Sequence, residues 1–199
     1  MRAHGSPAAA PVPDPDLPRG GIAASLPFLQ AGVAQVGVIV PDLDRAVEQY
    51  WRLFGVGPWH IYTYGRPLVR HMTYRGRPAD YRMRLALGWL GSLRIELIQP
   101  LKGESVYAEF VRTHGYGVHH WGVLVEDMGI ALAQARAAGL EMTMDGAGFG
   151  LDGDGHYAYL DTENLLGVTI ELIQRPRRRA PPERVYPPED EKHGGAHGE

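Results

Sequence analysis

The pentapeptide IELIQ occurs twice in this chain, at residues 95–99 and again at residues 170–174. A longer similarity precedes each copy, because residues 35–49 (QVGVIVPDLDRAVEQ) align with residues 120–134 (HWGVLVEDMGIALAQ). Both halves present a strand-like run, a helix-like run, further strands and a last strand that holds IELIQ. Self-similarity of this kind predicts two copies of one supersecondary unit.

Each unit has the pattern βαβββ. The β-branched run VAQVGVIV predicts a strand, and Asp42 follows it as the N-cap of a helix over about 43–54. In the second unit GVHHWGVLV predicts the equivalent strand, again followed by a helix-like run. We expect the units to span about 33–100 and 117–174, joined by a helix over 103–115, and to form an α+β fold.

The two ends of the chain differ in composition from this repeat. Residues 1–30 are rich in Pro and Ala and predict a disordered tail, and residues 176–199 predict a second, charged and Pro-rich tail. The folded domain is expected over 31–175. The RPRRR cluster at 175–179 could contact an anion, although a solvated stop after the last strand is the simpler interpretation.

Composition excludes several classes of protein. A net charge of -3 and a pI near 6.3 give no bulk reason to expect nucleic acid or a membrane surface as partner. The absence of cysteine excludes disulfides and thiolate chemistry. No apolar run approaches the ~18 residues of a membrane helix, and the first residues lack the apolar core of a secretory signal. We expect a cytoplasmic protein that acts on a small molecule.

The glutamate inside each IELIQ copy is the most informative residue of the chain. Side chains alternate along a strand, so Glu96 points with Arg94 and Ile98, opposite to the apolar residues on either side of it. An ionised carboxylate on an interior face is costly unless it is paired or bound to a metal. An ion pair or a solvent-facing position explains one such glutamate well. The repeat instead predicts that Glu96 and Glu171 face each other.

Gln35 and His120 occupy equivalent positions at the starts of the two units. Taken singly, they could be a sheet amide and a satisfied core histidine. Together with Glu96 and Glu171 they offer one amide oxygen, one imidazole and two carboxylates. This set suits Zn²⁺, Fe²⁺, Co²⁺, Ni²⁺, Mn²⁺ or Mg²⁺, so the sequence predicts a divalent metal ion as cofactor.

The sequence resembles the vicinal oxygen chelate superfamily, the group of glyoxalase I, methylmalonyl-CoA epimerase, extradiol dioxygenases and bleomycin-resistance proteins. The resemblance rests on the paired units and on the runs VGVIVPDLDRAVEQYWRLFGVGPW, IELIQPL, GVHHWGVLVEDM and GVTIEL. It implies an incomplete barrel of two βαβββ modules with metal ligands on the first and last strand of each module. These positions carry over to Gln35, Glu96, His120 and Glu171, whereas His119 is expected to face the opposite side.

The ligand order resembles animal-type glyoxalase I, but the stretch from IELIQPL through GYGVHHWG most resembles the epimerases, which usually have histidine at the first position. The basic residues with which glyoxalase I holds glutathione are replaced by apolar or aromatic ones, Val38, Ile39 and Tyr116. The epimerases also use a carboxylate base on a middle strand of the first unit, where the run DYRMRLALGWL has no Glu. Extradiol dioxygenases use two histidines, and the repeat supplies one.

The resemblance therefore implies a metal-dependent isomerase or epimerase, or a related lyase. The enzyme would remove a proton alpha to the carbonyl of a metal-chelated small molecule, with Glu96 or Glu171 as the base, and would be a homodimer. The alternative is a metal-free small-molecule binding protein of the bleomycin-resistance type. A ring-cleaving dioxygenase is less favoured.

Several further residues are candidates for the substrate pocket. Arg82 and Arg84 lie two residues apart on one strand face and could hold a carboxylate or phosphate, although an exposed strand face would explain them equally well. Core packing is the alternative explanation for the aromatic members. Tyr64 and Trp89 are further candidates for the aromatic wall. The main predicted set is Trp59, Tyr62, Arg82, Met83, Arg84, Trp121 and Tyr157.

Overall fold

The computed structural model describes residues 26–188. In the first half of the chain the strands are β1 (Gln35–Ile39), β2 (Trp59–Tyr64), β3 (His71–Tyr74), β4 (Arg77–Pro78), β5 (Arg82–Leu90) and β6 (Leu93–Lys102). In the second half they are β7 (Gly117–Leu124), β8 (Met142–Phe149), β9 (Gly155–Leu160), β10 (Thr169–Gln174) and β11 (Arg184–Tyr186). The helices are α1 (Leu43–Phe54), α2 (Val106–His114), α3 (Met128–Ala137) and α4 (Glu163–Leu166), and a 3₁₀ helix spans Pro27–Ala31.

The strands form one mixed sheet, curled into a half-barrel, in the order β11–β2–β5–β6–β1–β7–β10–β9–β8–β3–β4. Strand β1 pairs parallel with β6, and β7 pairs parallel with β10. The two units meet where β1 and β7 pair antiparallel. The α+β class and the incomplete barrel are confirmed. One strand departs from the simple repeat, because β3 of the first half pairs with β8 of the second.

The IELIQ residues divide into three roles, and the division is the same in both copies. The first isoleucine and the leucine pack in the clusters that hold α1 in the first copy and α3 in the second. The glutamate faces the inside of the half-barrel. Gln99 Oε1 accepts a hydrogen bond from the backbone N–H of Leu43 at 3.3 Å, and Gln174 Oε1 accepts one from Met128 at 2.8 Å. Each glutamine thus satisfies a free donor at a helix start.

Both predicted tails contribute ordered residues to the fold, which differs from the expectation. Leu26 and Phe28 are buried in the cluster that holds α3, where they shield apolar side chains of that cluster from water. Beyond residue 175, β11 adds to the edge of the sheet by pairing with β2. Prolines flank this strand, as an edge strand tolerates. The rest of the predicted tails, residues 1–25 and 189–199, lies outside the described residues.

None of the helices within residues 26–188 is long and apolar enough to cross a membrane.

The register of the four central strands creates two rows of residues around the join of the units. Each row runs across β6, β1, β7 and β10. The first row is Glu96, Gly37, His120 and Thr169, and the second is Arg94, Gln35, Gly122 and Glu171. The two rows are related by the repeat, since Gln35 corresponds to His120 and Glu96 to Glu171.

A glycine lies beside each bulky candidate ligand in these rows. A β-carbon at Gly37 would lie only 1.8 Å from Cε1 of His120. A β-carbon at Gly122 would lie 2.9 Å from Cβ of Gln35 and 3.2 Å from Oε2 of Glu171. The two glycines that the repeat preserves therefore make the space in which the polar side chains lie.

We predict that Gly37→Ala destabilises the protein by about 1–3 kcal/mol, the usual cost of overpacking a filled interior. In a His120→Ala background the same change should cost less than about 1 kcal/mol, because the ring that it clashes with is gone. Urea unfolding of the four proteins in this double-mutant cycle measures the coupling. Additive effects would show that Gly37 does not make room for His120.

Candidate metal centre and substrate cleft

The structure brings Glu96, His120 and Glu171 together inside the half-barrel. All three residues are buried, and one ligand atom from each lies within 4.8 Å of the others. Nε2 of His120 lies 3.3 Å from Oε2 of Glu96 and 3.2 Å from Oε2 of Glu171. Neither contact has the geometry of a hydrogen bond, so this buried nitrogen has no hydrogen-bond partner among the described residues.

Gln35 joins the two carboxylates. Its Nε2 donates to Oε2 of Glu96 and to Oε2 of Glu171, both at 2.9 Å. Its Oε1 accepts a hydrogen bond from Nε of Arg94, which is itself buried. Gln35 is therefore at the predicted place, but in this arrangement it turns its amide nitrogen, and not its oxygen, toward the glutamates. Amide orientation is assigned from such hydrogen bonds.

Burial and neighbouring charges both shift the pKa values of the residues at this centre. Burial raises the pKa of Glu96, and the nearby Glu171 carboxylate raises it further. Burial disfavours a charge on His120, but the carboxylates of Glu171 and Glu96 outweigh it and raise the pKa of the imidazole to about 9. Burial lowers the pKa of Arg94 to about 10. Two buried carboxylates thus create a strong demand for positive charge between them.

A divalent metal ion fits the residues present at the centre. The unpartnered His120 nitrogen and the two Oε2 atoms converge on one region, and an imidazole with two carboxylates is a common donor set for first-row metals. Buried carboxylates are stable when they are paired or coordinate a metal. Glu96, His120 and Glu171 are the residues that would hold the ion.

A layer of aromatic side chains supports the centre from behind. The hydroxyl of Tyr159 donates to Oε1 of Glu171 at 2.9 Å, and Tyr107 lies 2.8 Å from that hydroxyl, oxygen to oxygen. Burial raises the pKa of both phenols, so both remain hydrogen-bond donors. Only one oxygen of Glu96, by contrast, has a hydrogen bond within residues 26–188. Glu171 is therefore the more firmly held of the two glutamates.

His119 differs from the expectation that it faces away from the site. Gly37 pairs with His120 while Val38 pairs with Val118, so His119 is an extra residue in a β-bulge. The bulge redirects its ring, and Nδ1 of His119 lies 3.0 Å from Nδ1 of His120. Burial lowers the pKa of His119 well below its usual value, so it is neutral. If His120 donates through Nδ1 to His119, a metal ion at Nε2 would take the place of the proton that the raised pKa puts there.

A narrow cleft opens onto the centre from the concave side of the sheet. It has about 40 Å³ of space for the centres of water-sized molecules. Its charged lining residues are Glu96, Glu171, Arg94, Arg175 and Arg179. Its aromatic lining residues are Tyr64, Phe149 and Tyr157. A group that reaches the glutamates through this opening must be small.

Three of the seven predicted pocket residues lie on the inner face. Tyr62, Met83 and Tyr157 belong to the buried inner cluster, and Tyr157 lines the cleft. Tyr62 and Met83 lie on the correct face but deeper in that cluster. Two residues further along their strands, Leu85 and Tyr64, the latter also a candidate for the aromatic wall, line the cleft.

The other four predicted pocket residues lie elsewhere, because strand alternation sends them away from the cleft. Trp59 packs in the cluster between the sheet and α1, and Arg84 forms an ion pair with Asp44 at 2.8 Å. Arg82 lines a separate groove near Gly65. Trp121 is 43% exposed, on the side of β7 opposite to His120. The prediction of a pocket role for these residues is corrected.

Comparison with known proteins gives a family match. Residues 34–160 match the family model described as the glyoxalase/bleomycin resistance protein/dioxygenase superfamily. A search of curated proteins found no match.

Many solved structures match the fold. Methylmalonyl-CoA epimerase from Mycobacterium tuberculosis is 25% identical, with a TM-score of 0.51, and the match covers 82% of this chain and 95% of that one. A Streptomyces coelicolor methylmalonyl-CoA epimerase variant in complex with 2-nitronate-propionyl-CoA is 21% identical, with a TM-score of 0.52 and coverage of 75% and 97%. A hypothetical protein from Bacillus halodurans C-125 is 18% identical, with a TM-score of 0.50 and coverage of 74% and 96%.

The family match extends over more than half of the chain and includes β1, β6 and β7, which carry three of the four predicted ligands. The doubled βαβββ unit is what the resemblance implied. The chain therefore belongs to the glyoxalase/bleomycin resistance protein/dioxygenase superfamily, also called the vicinal oxygen chelate superfamily.

Proposed function

We propose that the protein is a metal-dependent isomerase or epimerase that moves a proton on the carbon alpha to a carbonyl group. The observation that carries this proposal is the buried convergence of Glu96, Glu171 and Nε2 of His120, which lies 3.2–3.3 Å from both carboxylates without a hydrogen bond. The likeness to methylmalonyl-CoA epimerase at 25% identity supports the same reaction class. A homodimer and a cytoplasmic location stay predictions.

His120, Glu96 and Glu171 are the proposed minimal set of metal ligands. Gln35 becomes a fourth ligand only if its amide turns over and its oxygen gives up the hydrogen bond from Arg94. Until it turns, Gln35 holds the two carboxylates side by side through its Nε2. A divalent ion bound at this centre supplies Lewis acidity, which stabilises negative charge on a substrate oxygen.

Glu96 is the proposed base. It lines the cleft, burial raises its pKa, and one of its carboxylate oxygens has no hydrogen bond among the described residues. A raised pKa brings a carboxylate closer to the value that suits proton transfer near neutral pH, and a bound divalent ion would lower it again. Glu96 takes the proton, the C–H electron pair moves into the carbonyl to form an enolate, and the proton returns to carbon.

The repeat places one glutamate on each side of the reacting carbon in the proposed reaction. Glu171 is the counterpart of Glu96 on the other unit, so the two carboxylates approach the cleft from opposite sides of the β1–β7 join. Return of the proton from Glu96 gives exchange or isomerisation. Delivery of a second proton, carried beforehand by Glu171 on the other face of the carbon, gives epimerisation and leaves Glu96 protonated and Glu171 ionised.

A metal-free binding protein is the second candidate, and one observation favours it. Arg94, Gln35 and the two glutamates already form a hydrogen-bonded network that partly compensates the buried charge. In that role the four residues would be the polar floor of a ligand pocket.

We predict that the purified protein binds one Co²⁺, Ni²⁺ or Zn²⁺ per chain at the centre, as measured by isothermal titration after chelation. Glu171→Gln and His120→Gln should weaken this affinity by more than the about 10–100-fold that loss of an outer-shell partner costs. His156→Gln is the matched control, because its imidazole pairs with Asp145 at 2.9 Å outside the centre. Equal affinity in His120→Gln and His156→Gln would contradict the site.

We also predict that the metal-loaded protein catalyses exchange of an α-proton for deuterium in D₂O. Methylmalonyl-CoA and a panel of small 2-oxo acids are the probes, and mass spectrometry is the measurement. Glu96→Gln should lower the rate by at least about 100-fold, the contribution expected of a positioned base. Tyr159→Phe, which keeps both glutamates, should cost less than Glu96→Gln.

Absence of exchange on every probe, in protein shown to hold its metal, would argue for the binding protein. An undiminished rate in Glu96→Gln would assign the base to another residue.

A further inference from the structure

The chain continues past its last repeat strand and crosses the mouth of the cleft. The C-terminal strap, residues 175–188, is fixed at both ends. At its start the N–H of Leu151 donates to the carbonyl of Arg178 at 2.9 Å, and a β-carbon at Gly150 would lie 2.4 Å from Cβ of Pro176. At its end β11 pairs with β2.

The RPRRR cluster at the start of the strap divides into two kinds of arginine. Arg177 pairs with Asp154 at 2.8 Å and Arg178 donates to Asp152 at 2.9 Å, both in the loop after β8. These two guanidiniums are already neutralised, and they hold the strap on the loop.

Arg175 and Arg179 are not neutralised in this way. Both line the cleft, together with the candidate metal ligands Glu96 and Glu171. Neither has a hydrogen-bond or ion-pair partner within residues 26–188, although acidic residues of the neighbouring loop pair with Arg177 and Arg178. Burial and the nearby Arg179 charge both lower the pKa of Arg175, which is the mark of guanidiniums held close together.

The charges around the cleft do not balance. Three guanidiniums, those of Arg94, Arg175 and Arg179, face two carboxylates in its lining. A divalent ion or a proton on His120 would add to the positive excess. Planar guanidiniums match the oxygens of a carboxylate or a phosphate with two parallel hydrogen bonds. The mouth of the cleft therefore carries excess positive charge, which favours the binding of an anion.

We propose that Arg175 and Arg179, with Arg94 beneath them, form an anion subsite at the mouth of the cleft that selects carboxylate- or phosphate-bearing substrates. This subsite rests on the proposed function in one respect. Under that function a second group of the substrate, its carbonyl, lies at the glutamates. The ligand is thus an anionic carbonyl compound. Its body packs against Tyr64, Phe149 and Tyr157.

The test is direct binding of small anions to the full chain kept metal-free with chelator, so that no anion can bind through a metal. Succinate, inorganic phosphate and the neutral isostere succinamide are titrated and followed by calorimetry. We expect succinate or phosphate to bind and succinamide not to bind. The anion that binds more tightly identifies the group that the subsite prefers. Absence of binding by both anions would overturn the subsite.

The double variant Arg175→Gln/Arg179→Gln should weaken anion binding by at least about tenfold, because each charge-assisted hydrogen bond contributes that order of affinity. Arg52→Gln/Arg112→Gln removes the same charge from two exposed helix positions that do not line the cleft and is the matched control, expected to change affinity by less than about threefold. Thermal unfolding of both variants checks that the fold is kept. Equal losses in the two variants would show a general charge effect and overturn the proposal.

The outcome is separable from the proposed function. Metal titration of Arg175→Gln/Arg179→Gln should give the wild-type stoichiometry, because these arginines are not ligands. If the anions fail to bind while metal binding and proton exchange persist, the subsite alone is wrong. If the anions bind but neither metal nor exchange is found, the subsite stands as part of a binding protein.

Discussion

The antiparallel pairing of β1 with β7 is the constraint on which the rest of the structure depends. In this join His120 lies beside Gly37, and Gln35 lies beside Gly122, so each polar side chain occupies the space that a glycine of the other unit leaves open. Because β6 pairs parallel with β1, and β10 with β7, the same register carries Glu96 and Glu171 to the join. Four residues far apart in sequence meet because two strands pair in one register.

The doubled pentapeptide builds the same local arrangement in both units. In each copy the first Ile, the Leu and the Gln contact the helix, and the Glu faces the inside of the half-barrel. The chemistry is not symmetric, however. Where the first unit has Arg94 beside Gln35, the second has Thr169 beside His120. One side of the join therefore carries an imidazole suited to a metal. The other carries a guanidinium that, with the strap, makes the mouth of the cleft cationic.

Much of this could be predicted from the sequence. The repeat gave the two units and the alternation of side chains gave the inward direction of Glu96 and Glu171, because both depend on local periodicity. His119 could not be predicted, since a β-bulge breaks the period of two on which the argument rests. Tyr62 and Met83 show a second limit, because alternation fixes the face of a strand but not the depth along it.

The strap shows a third limit. A Pro-rich, charged segment has the composition of a tail, and only the free edge of β2 and the acidic loop after β8 give it a place to bind. Arg175 and Arg179 acquire their position from that tertiary docking. Tyr159, in contrast, could have been found, because it lies two residues after Tyr157 on the same face of β9.

An anomalous-difference map from a crystal of the protein grown with Co²⁺ would show whether Glu96, His120 and Glu171 hold a metal ion, because it locates the ion among named atoms. We expect one strong peak within coordination distance, about 2.0–2.2 Å, of His120 Nε2 and of carboxylate oxygens of both Glu96 and Glu171. A map that shows Co²⁺ bound only elsewhere, with Nε2 of His120 away from the ion, would contradict this expectation.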